Sequence, residues 1–514
     1  MTFFIAVLTA AFAVSFACVF LWSMHMFQLN SYKPAEHGRW IAKEIPSVMA
    51  RQAPCVIAFL VLVIFPETLA AIIVSAILFL MSIILNRPKP AKKKLVYTHR
   101  VLRMLGTTAL LFIIITVLAL FFFLPLLPLF CVLAPLLPIA ANFINRPIEK
   151  HISQGYVNDA RKIIRSMQNL VVIGITGSYG KTSTKYYLSK LLGAKYSVCM
   201  TPQNYNTTLG VVKTIRENLR ATHEIFVCEM GARNVGDIKE ISDLVTPSIG
   251  ILVSIGNQHL ESFKTIENIE KTKFELIDSL PATGMAFLNL DNDIIRNHKT
   301  QKPFTSFGVT SKGLDCYATD AKSSSKGTSF VFHSKSGDSF PVTTKLLGAH
   351  NVLNLVGAMA VADYLGVGKA ELASQAKKIE GVPHRLELVP GHGCTIIDDA
   401  YNSNPQGAKS ALETLAGFDG FKILVTPGMV ELGNAQDECN RVFGEQAADA
   451  CDFAILVGEA QTRSILKGLE SKNFSPDKIY VAQSLNDALD KAYSLDAKGK
   501  EKVILLENDL PDNY

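Results

Sequence analysis

Hydrophobic residues are distributed along this 514-residue chain in two regimes. Residues 1–29, 54–85 and 105–144 are nearly continuous apolar runs. From about residue 151 onward, short apolar clusters alternate with amphipathic stretches. Crossing a bilayer takes about 20 apolar residues, because hydrocarbon offers the backbone no hydrogen-bond partners. Phe3–Leu29 meets that length. It has no basic segment before it and no small-residue cleavage site after it, so it reads as an anchor and not as a removed leader. Cys55–Leu85 reads as a tight hairpin broken at Pro66-Glu67, and Thr107–Leu124 with Leu126–Ile144 as a second pair hinged at Pro125. The count is four or five spans.

The later part carries the pattern of an α/β protein. Val171–Ile175, Ile225–Cys228, Ile249–Ile255, Thr395–Ile397, Ile423–Val425, Phe453–Val457 and Val503–Leu506 are apolar runs of the buried-strand type. Helical stretches separate most of them, which predicts mainly parallel sheets covered on both faces. Residues 300–346 differ: they are rich in Ser, Thr, Gly and Lys, with short alternating strands, as in an antiparallel insertion. The pattern pauses at Gly381–Arg385 and a second α/β unit follows. The expected organisation is a membrane region over 1–150, a nucleotide-binding domain over 151–383 and a Rossmann-like C-terminal domain over 384–514. No internal repeat is evident.

Charge refines the membrane reading. Between Asn86 and Met104 lie Arg87, Lys89, Lys92, Lys93, Lys94, Arg100 and Arg103, with no acid. The positive-inside rule makes this loop cytoplasmic, and two further spans return the chain to the same side. Simple topology accounts for the run; binding of anionic lipid is the alternative. In the expected loop Asn30–Pro54, His37, Arg39 and Trp40 read as interfacial anchors or as contacts to a lipid head group. The net charge of +6 is concentrated beside the membrane, so it does not indicate a nucleic-acid partner. The nine cysteines include no Cys-x-x-Cys pair, so neither a zinc site nor a disulfide framework is expected, and the compartment is reducing.

The sharpest chemical signal is Thr176-Gly177-Ser178-Tyr179-Gly180-Lys181-Thr182-Ser183. It follows an apolar strand and opens a helix, the context a phosphate loop needs. Backbone N–H groups and the helix N-terminus face an anion, Lys181 neutralises it, and the Thr182 hydroxyl suits a Mg2+ position. The general spacing is not fully met: five residues intervene between Gly174 and Gly180 where the motif has four. Glu229 ends one apolar strand and His259 follows another. Ligands of open α/β sheets bind beyond the carboxyl ends of strands, so Lys181, Glu229 and His259 are candidates to converge. Taken alone, Glu229 is as readily a solvated strand-end acid, and His259 a structural histidine.

Further stretches occur in a fixed order: Asn204-Tyr205-Asn206-Thr207, Glu229-Met230-Gly231-Ala232, His259-Leu260-Glu261 and Lys271-Thr272-Lys273-Phe274-Glu275. Gly348-Ala349-His350-Asn351 with Asn354, His384-Arg385-Leu386-Glu387, Asp398 to Pro405 and Glu431-Leu432-Gly433 follow. With the phosphate loop, this ordered set resembles the Mur ligases, most of all the branch that adds D-alanyl-D-alanine. The resemblance implies an ATP-dependent carboxylate–amine ligase of cell-wall synthesis that works through an acyl phosphate. It implies that Gly177, Ser178, Gly180, Lys181, Thr182 and Ser183 cradle ATP phosphates. It assigns Thr182 and Glu229 to one Mg2+, and His259 with a carbamylated Lys273 to a second. Asn354 resembles an adenine contact, and Arg385 and Asp399 resemble nucleotide contacts from the C-terminal domain. Tyr401, Asn402 and Asn404 fall in a loop that approaches the nucleotide. Lys181, Lys273, His259 and Asn206 are the implied catalytic set. Without the family, Lys273 is a helix-surface lysine paired with Glu270 or Glu275.

Two departures bear on substrates. The uridine-binding N-terminal domain of soluble relatives is replaced by membrane spans. Their terminal Lys-Gly-Ser-Arg gives way to Glu507-Asn508-Asp509-Leu510-Pro511. The expected partners are therefore a cell-wall precursor, lipid-linked in one version, an amino acid or dipeptide amine, membrane lipid and a membrane-protein partner. The expected location is a multi-pass position in a bacterial inner membrane with the catalytic domains cytoplasmic. Two other readings remain: the ATP-using subunit of an amidotransferase, and a membrane scaffold with a vestigial nucleotide site.

Overall fold

In the computed structural model, residues 1–66, 68–87, 94–203, 205–256, 258, 260–311, 313–324, 327–391, 393–400, 403–430 and 432–509 are described. They form two compact units, Met1–Gly155 and Tyr156–Leu510.

The first unit is helical. Thr2–Leu29, Ile45–Ile64, His99–Phe121 and the run Leu126–Ser166 are long and apolar enough to cross a membrane, and Leu69–Leu85 is a shorter apolar helix. The second helix begins well before Cys55, and the expected loop Asn30–Pro54 is itself mostly helix: Pro34–Lys43, then the first half of Ile45–Ile64. The apolar run marks how much helix suits hydrocarbon, not where the helix starts. Pro46 sits in the first turn, where its missing N–H costs nothing. His99–Phe121 likewise starts ahead of Thr107, with Thr98 Oγ1 accepting from Val101 N at 3.3 Å, so Arg100 and Arg103 lie on the helix. His37 is fully buried among the helices: its Nε2 lies 3.1 Å from the Pro135 carbonyl and 3.3 Å from Ser23 Oγ. Stacked Phe12, Phe16, Phe112 and Phe130 fill the bundle centre.

The second unit holds two sheets. The larger comprises β1 (Val171–Thr176), β2 (Val198–Met200), β3 (Ile225–Glu229), β4 (Ile249–Leu252), β5 (Met285–Asn289), β6 (Phe304–Gly308), β7 (Cys316–Ser324), β8 (Gly327–His333) and β9 (Ser339–Thr344). Their order is β2-β3-β1-β4-β5-β6-β7-β8-β9. Pairing is parallel as far as β7 and antiparallel from β7 to β9. The expected antiparallel insertion is thus an extension of the main sheet, and its first strand, β6, is parallel. The smaller sheet comprises β10 (Glu387–Gly391), β11 (Cys394–Asp399), β12 (Phe421–Thr426), β13 (Phe453–Val457), β14 (Ile479–Ala482) and β15 (Lys502–Glu507), ordered β10-β11-β15-β12-β13-β14. All its pairs are parallel except β10–β11. Apolar side chains from both faces of each sheet build the cores, as an α/β architecture requires.

β1 is an interior strand, almost wholly buried and flanked by β3 and β4; its own connection leads toward β2 on one side, and that of its neighbour β4 toward β5 on the other. The carboxyl end of β1 is thus a topological switch point, where such sheets open a crevice for ligands.

Candidate active site

The loop after β1 is held by backbone and side-chain hydrogen bonds to the segment after β4. Ser178 N donates to Ser254 O at 2.8 Å, Tyr179 N to Ser254 Oγ at 2.7 Å, and Ser178 Oγ to Gly256 O at 3.0 Å. These bonds replace the strand ladder, which explains why β4 stops at Leu252 and not at Ile255. Gly180 has φ +80°, and a Cβ there would collide with the Asn354 amide and come within 2.8 Å of Val253 Cγ1. Only glycine allows both that turn and that approach. Helix Lys181–Leu192 starts directly after it, so its first N–H groups and positive dipole end face the crevice.

Lys181 Nζ donates to the carbonyls of Gly177 and Ser178, at 2.6 and 2.9 Å. Burial pushes its pKa down to about 8; Glu229 opposes that shift and the nearby Arg385 adds to it. Glu229, at the end of β3, is paired in register with Ile175 of β1 and only 1 % exposed. Its Oε1 accepts from Thr182 Oγ1 at 3.1 Å and from Asn206 Nδ2 at 3.0 Å. Burial alone raises a carboxyl, but here Lys185, Lys181 and Asn206 outweigh it and hold Glu229 below its ordinary value. A buried, ionised carboxylate beside a threonine hydroxyl is an oxygen donor set that fits Mg2+.

Lys273 lies in helix Ile266–Asp278 and is 3 % exposed, not on the helix surface. Burial, then the charge of Lys181, holds its amine far below the usual lysine range, against Asp237 and Glu275. Among the described residues no hydrogen bond or ion pair reaches its Nζ. Glu275 is engaged elsewhere, accepting from Gly236 N at 2.7 Å and Lys239 N at 2.9 Å at the start of the helix Asp237–Val245. Asn354, in helix Ala349–Tyr364, is buried with its amide against Gly180. Ser183 is buried on the helix that opens at Lys181. His259, Asn204, Tyr401, Asn402 and Glu431 lie outside the described residues.

From the smaller sheet, Arg385 approaches closely enough to lower the pKa of both Lys181 and His350. Asp399 turns toward its own domain, its Oδ1 accepting from Leu386 N at 3.1 Å. It stands opposite Glu507 across β11 and β15, so two carboxyls face each other there. Burial raises both, Asp399 to about 6. Asn508 follows at φ +71°, with Ser403 N donating to its Oδ1 at 2.9 Å. Asn404 caps helix Pro405–Ala416, its side chain accepting from Gly407 N.

Two family models match the chain: the Mur ligase middle domain over residues 175–362 and the Mur ligase glutamate ligase domain over residues 384–507. The UDP-N-acetylmuramoyl-tripeptide–D-alanyl-D-alanine ligase of Bacillus subtilis is 32% identical over 311 residues, covering 59% of this chain and 67% of that protein. This chain belongs to the Mur ligase family. The Escherichia coli enzyme of the same name is 28% identical, over 62% of this chain and 73% of its own. Among solved structures, MurF from Acinetobacter baumannii superposes with a TM-score of 0.63 at 27% identity, covering 70% of this chain and 77% of that one. The MurF ligase of Thermotoga maritima in complex with ADP gives 0.61 at 28% identity, over 70% and 80%.

As a Mur ligase the chain is an ATP-dependent enzyme that forms peptide bonds. In place of the N-terminal domain usual in the family stands the helical unit. One residue of this Mur ligase site was not singled out from sequence. Lys185 is 2 % exposed; its Nζ lies 2.9 Å from Glu229 Oε2 and donates to Gln203 O at 2.6 Å. Its signal was its place one helical turn beyond Lys181, on the face turned to β3. Lys185→Met keeps the stem but strands a buried carboxylate. It is expected to destabilise the enzyme by about 3–5 kcal/mol, as breaking a buried pair does. Denaturant unfolding checks this, and an unchanged midpoint contradicts the pairing.

Proposed function

We propose that this Mur ligase joins the carboxylate of a cell-wall peptide precursor to an amino acid or dipeptide amine, by likeness to its relatives D-alanyl-D-alanine. What carries the reading is the convergence of Lys181, Thr182, Asn206, Glu229 and Lys273 at the carboxyl end of β1. A carboxylate is a poor electrophile. Its oxygen attacks the γ-phosphorus of ATP, ADP departs, and the resulting acyl phosphate carries a good leaving group. The amine then attacks the acyl carbon, inorganic phosphate leaves, and the amine loses a proton.

In this reading the loop Gly177 to Ser183 cradles the phosphates: Lys181 and the N–H groups that open the helix, from Gly180 to Ser183, hold them and offset the charge that gathers on the transferring group. Thr182 and Glu229 hold one Mg2+; His259 and a carbamylated Lys273 serve a second. The ions supply charge neutralisation to the phosphoryl oxygens. Asn206 fixes the rotamer of Glu229 through Oε1. Asn354 borders the nucleotide, and Arg385 with Asp399 represents the C-terminal domain, which closes near residue 383 to exclude water. The domain limits in this reading are 1–150, 151–383 and 384–514.

The helical unit belongs, in this proposal, in a bacterial cytoplasmic membrane as a multi-pass region, with the catalytic domains on the side of the basic segment 87–103. Its acceptor is lipid-linked, confined to the bilayer and presented without a uridine-binding domain; membrane lipid and a membrane-protein partner are the further contacts. Confinement matters because positioning can supply about 7–11 kcal/mol of a barrier. The test measures ATP-dependent phosphate release by the full chain in nanodiscs and by residues 151–514 alone, with lipid-linked or uridine-linked peptide and D-alanyl-D-alanine. The expected result is release that needs both acceptor and amine, with a higher kcat/KM for the full chain on lipid-linked acceptor. Equal values for the two forms reduce the spans to an anchor, and release independent of acceptor removes the ligase reading.

A further inference from the structure

The helical unit contains a polar cluster that ligase chemistry does not use. Gln52, in the helix Ile45–Ile64, and Asn86, which caps the end of Leu69–Leu85, are 2 % and 1 % exposed. Among the described residues neither polar atom of the Gln52 amide has a hydrogen-bond partner, nor does Asn86 Oδ1. Asn86 Nδ2 donates to Ser82 O at 2.9 Å and reaches Arg51 O at 3.4 Å. The Arg51 guanidinium lies 4.5 Å over the Trp22 ring and has no carboxylate partner among the described residues. Trp22 meets Trp40 at 5.2 Å, and Trp40 stacks on His37 at 5.0 Å. The buried Nδ1 of His37 is again without a partner. One contiguous set therefore joins Thr2–Leu29, Pro34–Lys43, Ile45–Ile64 and Leu69–Leu85.

Such groups are costly. A buried amide without partners forfeits about 1–3 kcal/mol, and hydrocarbon holds no water to repair the loss. Polar residues inside a membrane bundle mark functional sites for this reason. The occupant must offer acceptor oxygens to Arg51 and Gln52 Nε2, and a proton-bearing phosphate oxygen to Gln52 Oε1 or Asn86 Oδ1. It must also carry negative charge. Residues 1–155 hold thirteen lysines and arginines against four acids, a net of +9 where the whole chain is only +6. Asn86 ends its helix immediately before the basic segment, so the cluster lies at the most positive end of the bundle.

We propose that Arg51, Gln52 and Asn86, with His37 and the two tryptophans, bind the phosphate-bearing head group of a membrane lipid. The lipid's tail lies along the apolar helices. This rests on the membrane reading above and gives the lipid-linked acceptor a place to dock. The lipid is the source of the phosphate, because the cluster sits among helices whose remaining surface is largely apolar and suits an acyl or prenyl tail.

The chain has only two tryptophans, and both stand in this cluster, so intrinsic fluorescence reports on it alone. The full chain in phosphatidylcholine nanodiscs is titrated with farnesyl diphosphate, inorganic pyrophosphate and farnesol. Farnesyl diphosphate is expected to give a saturable change, pyrophosphate to bind at least about tenfold more weakly and farnesol to give none. Arg51→Gln is expected to raise the Kd for farnesyl diphosphate about tenfold or more, the loss of a charge-assisted hydrogen bond. Arg51→Lys, which keeps the charge, retains the saturable signal, and Gln52→Leu weakens binding without changing the net charge. Absence of a saturable change, equal affinity for pyrophosphate, or wild-type affinity in both Arg51→Gln and Gln52→Leu overturns the proposal. Fluorescence does not depend on phosphate release, so failure here leaves the ligase reading standing, and failure of turnover leaves this one.

Discussion

Replacing Lys181 by alanine is expected to reduce acceptor-dependent phosphate release by at least about 1,000-fold, at the upper end of what loss of one charge-stabilising donor costs. The fold should survive. Among the described residues Nζ hydrogen-bonds the carbonyls of Gly177 and Ser178, within its own loop, and two such bonds contribute about 0.5–1.5 kcal/mol each. The bonds from Ser254 and Gly256 that shape the loop do not involve Lys181. The same geometry sets a pH dependence. The amine is held down to about 8, chiefly by burial, so without nucleotide it loses its proton as pH rises through that value. Only the charged form pairs with phosphate. The kcat/KM for ATP is therefore expected to fall above about pH 8, and the alanine variant to lack that limb. Normal phosphate release by the variant contradicts the assignment of the loop.

Lys273→Ala is expected to lower kcat about 100-fold, the scale on which removing a group that serves a metal site acts. Burial and the neighbouring Lys181 keep its amine neutral, the form able to add CO2 and release a proton as it becomes a carbamate. The anion then stands in a pocket where the lysine's own charge is disfavoured. A short-chain carboxylic acid is expected to restore part of the activity in the alanine variant by supplying the missing anion. Lys273→Arg should not recover, since a guanidinium does not become neutral and cannot add CO2. Carbon-13 NMR of enzyme equilibrated with labelled bicarbonate should show a carbamate signal absent from both variants. Full activity of Lys273→Ala without added acid refutes the role.

What the sequence by itself determined lies where structure is local. The strand, loop and helix from Val171 to Leu192 were legible because the turn at Gly180 and the N-terminus of the next helix are specified within a few residues. β3, β12, β13 and β15 were legible as apolar runs because strands of a sheet covered on both faces must be apolar throughout. The apolar helices of the first unit were legible because each is apolar over most of its length. Short or half-exposed strands such as β2 and β14, and β10 at the edge of its sheet, carry no such signature. The Asn30–Pro54 helices were missed because hydropathy measures the fit to lipid, whereas helix continues wherever backbone bonds and packing allow.

The site's electrostatics were decided only in three dimensions. Lys185 is an ordinary lysine in sequence until β3 lies beside β1 and brings Glu229 over it. Lys273 reads as a surface residue until its helix packs on the sheet, where burial and Lys181 strip its charge. The carboxyl neighbour of Asp399, Glu507, is fixed only when β15 enters between β11 and β12. Each of these depends on strand order, which unites residues far apart in the chain. A local pattern shows that a segment must be buried but carries no record of the neighbour that will bury it.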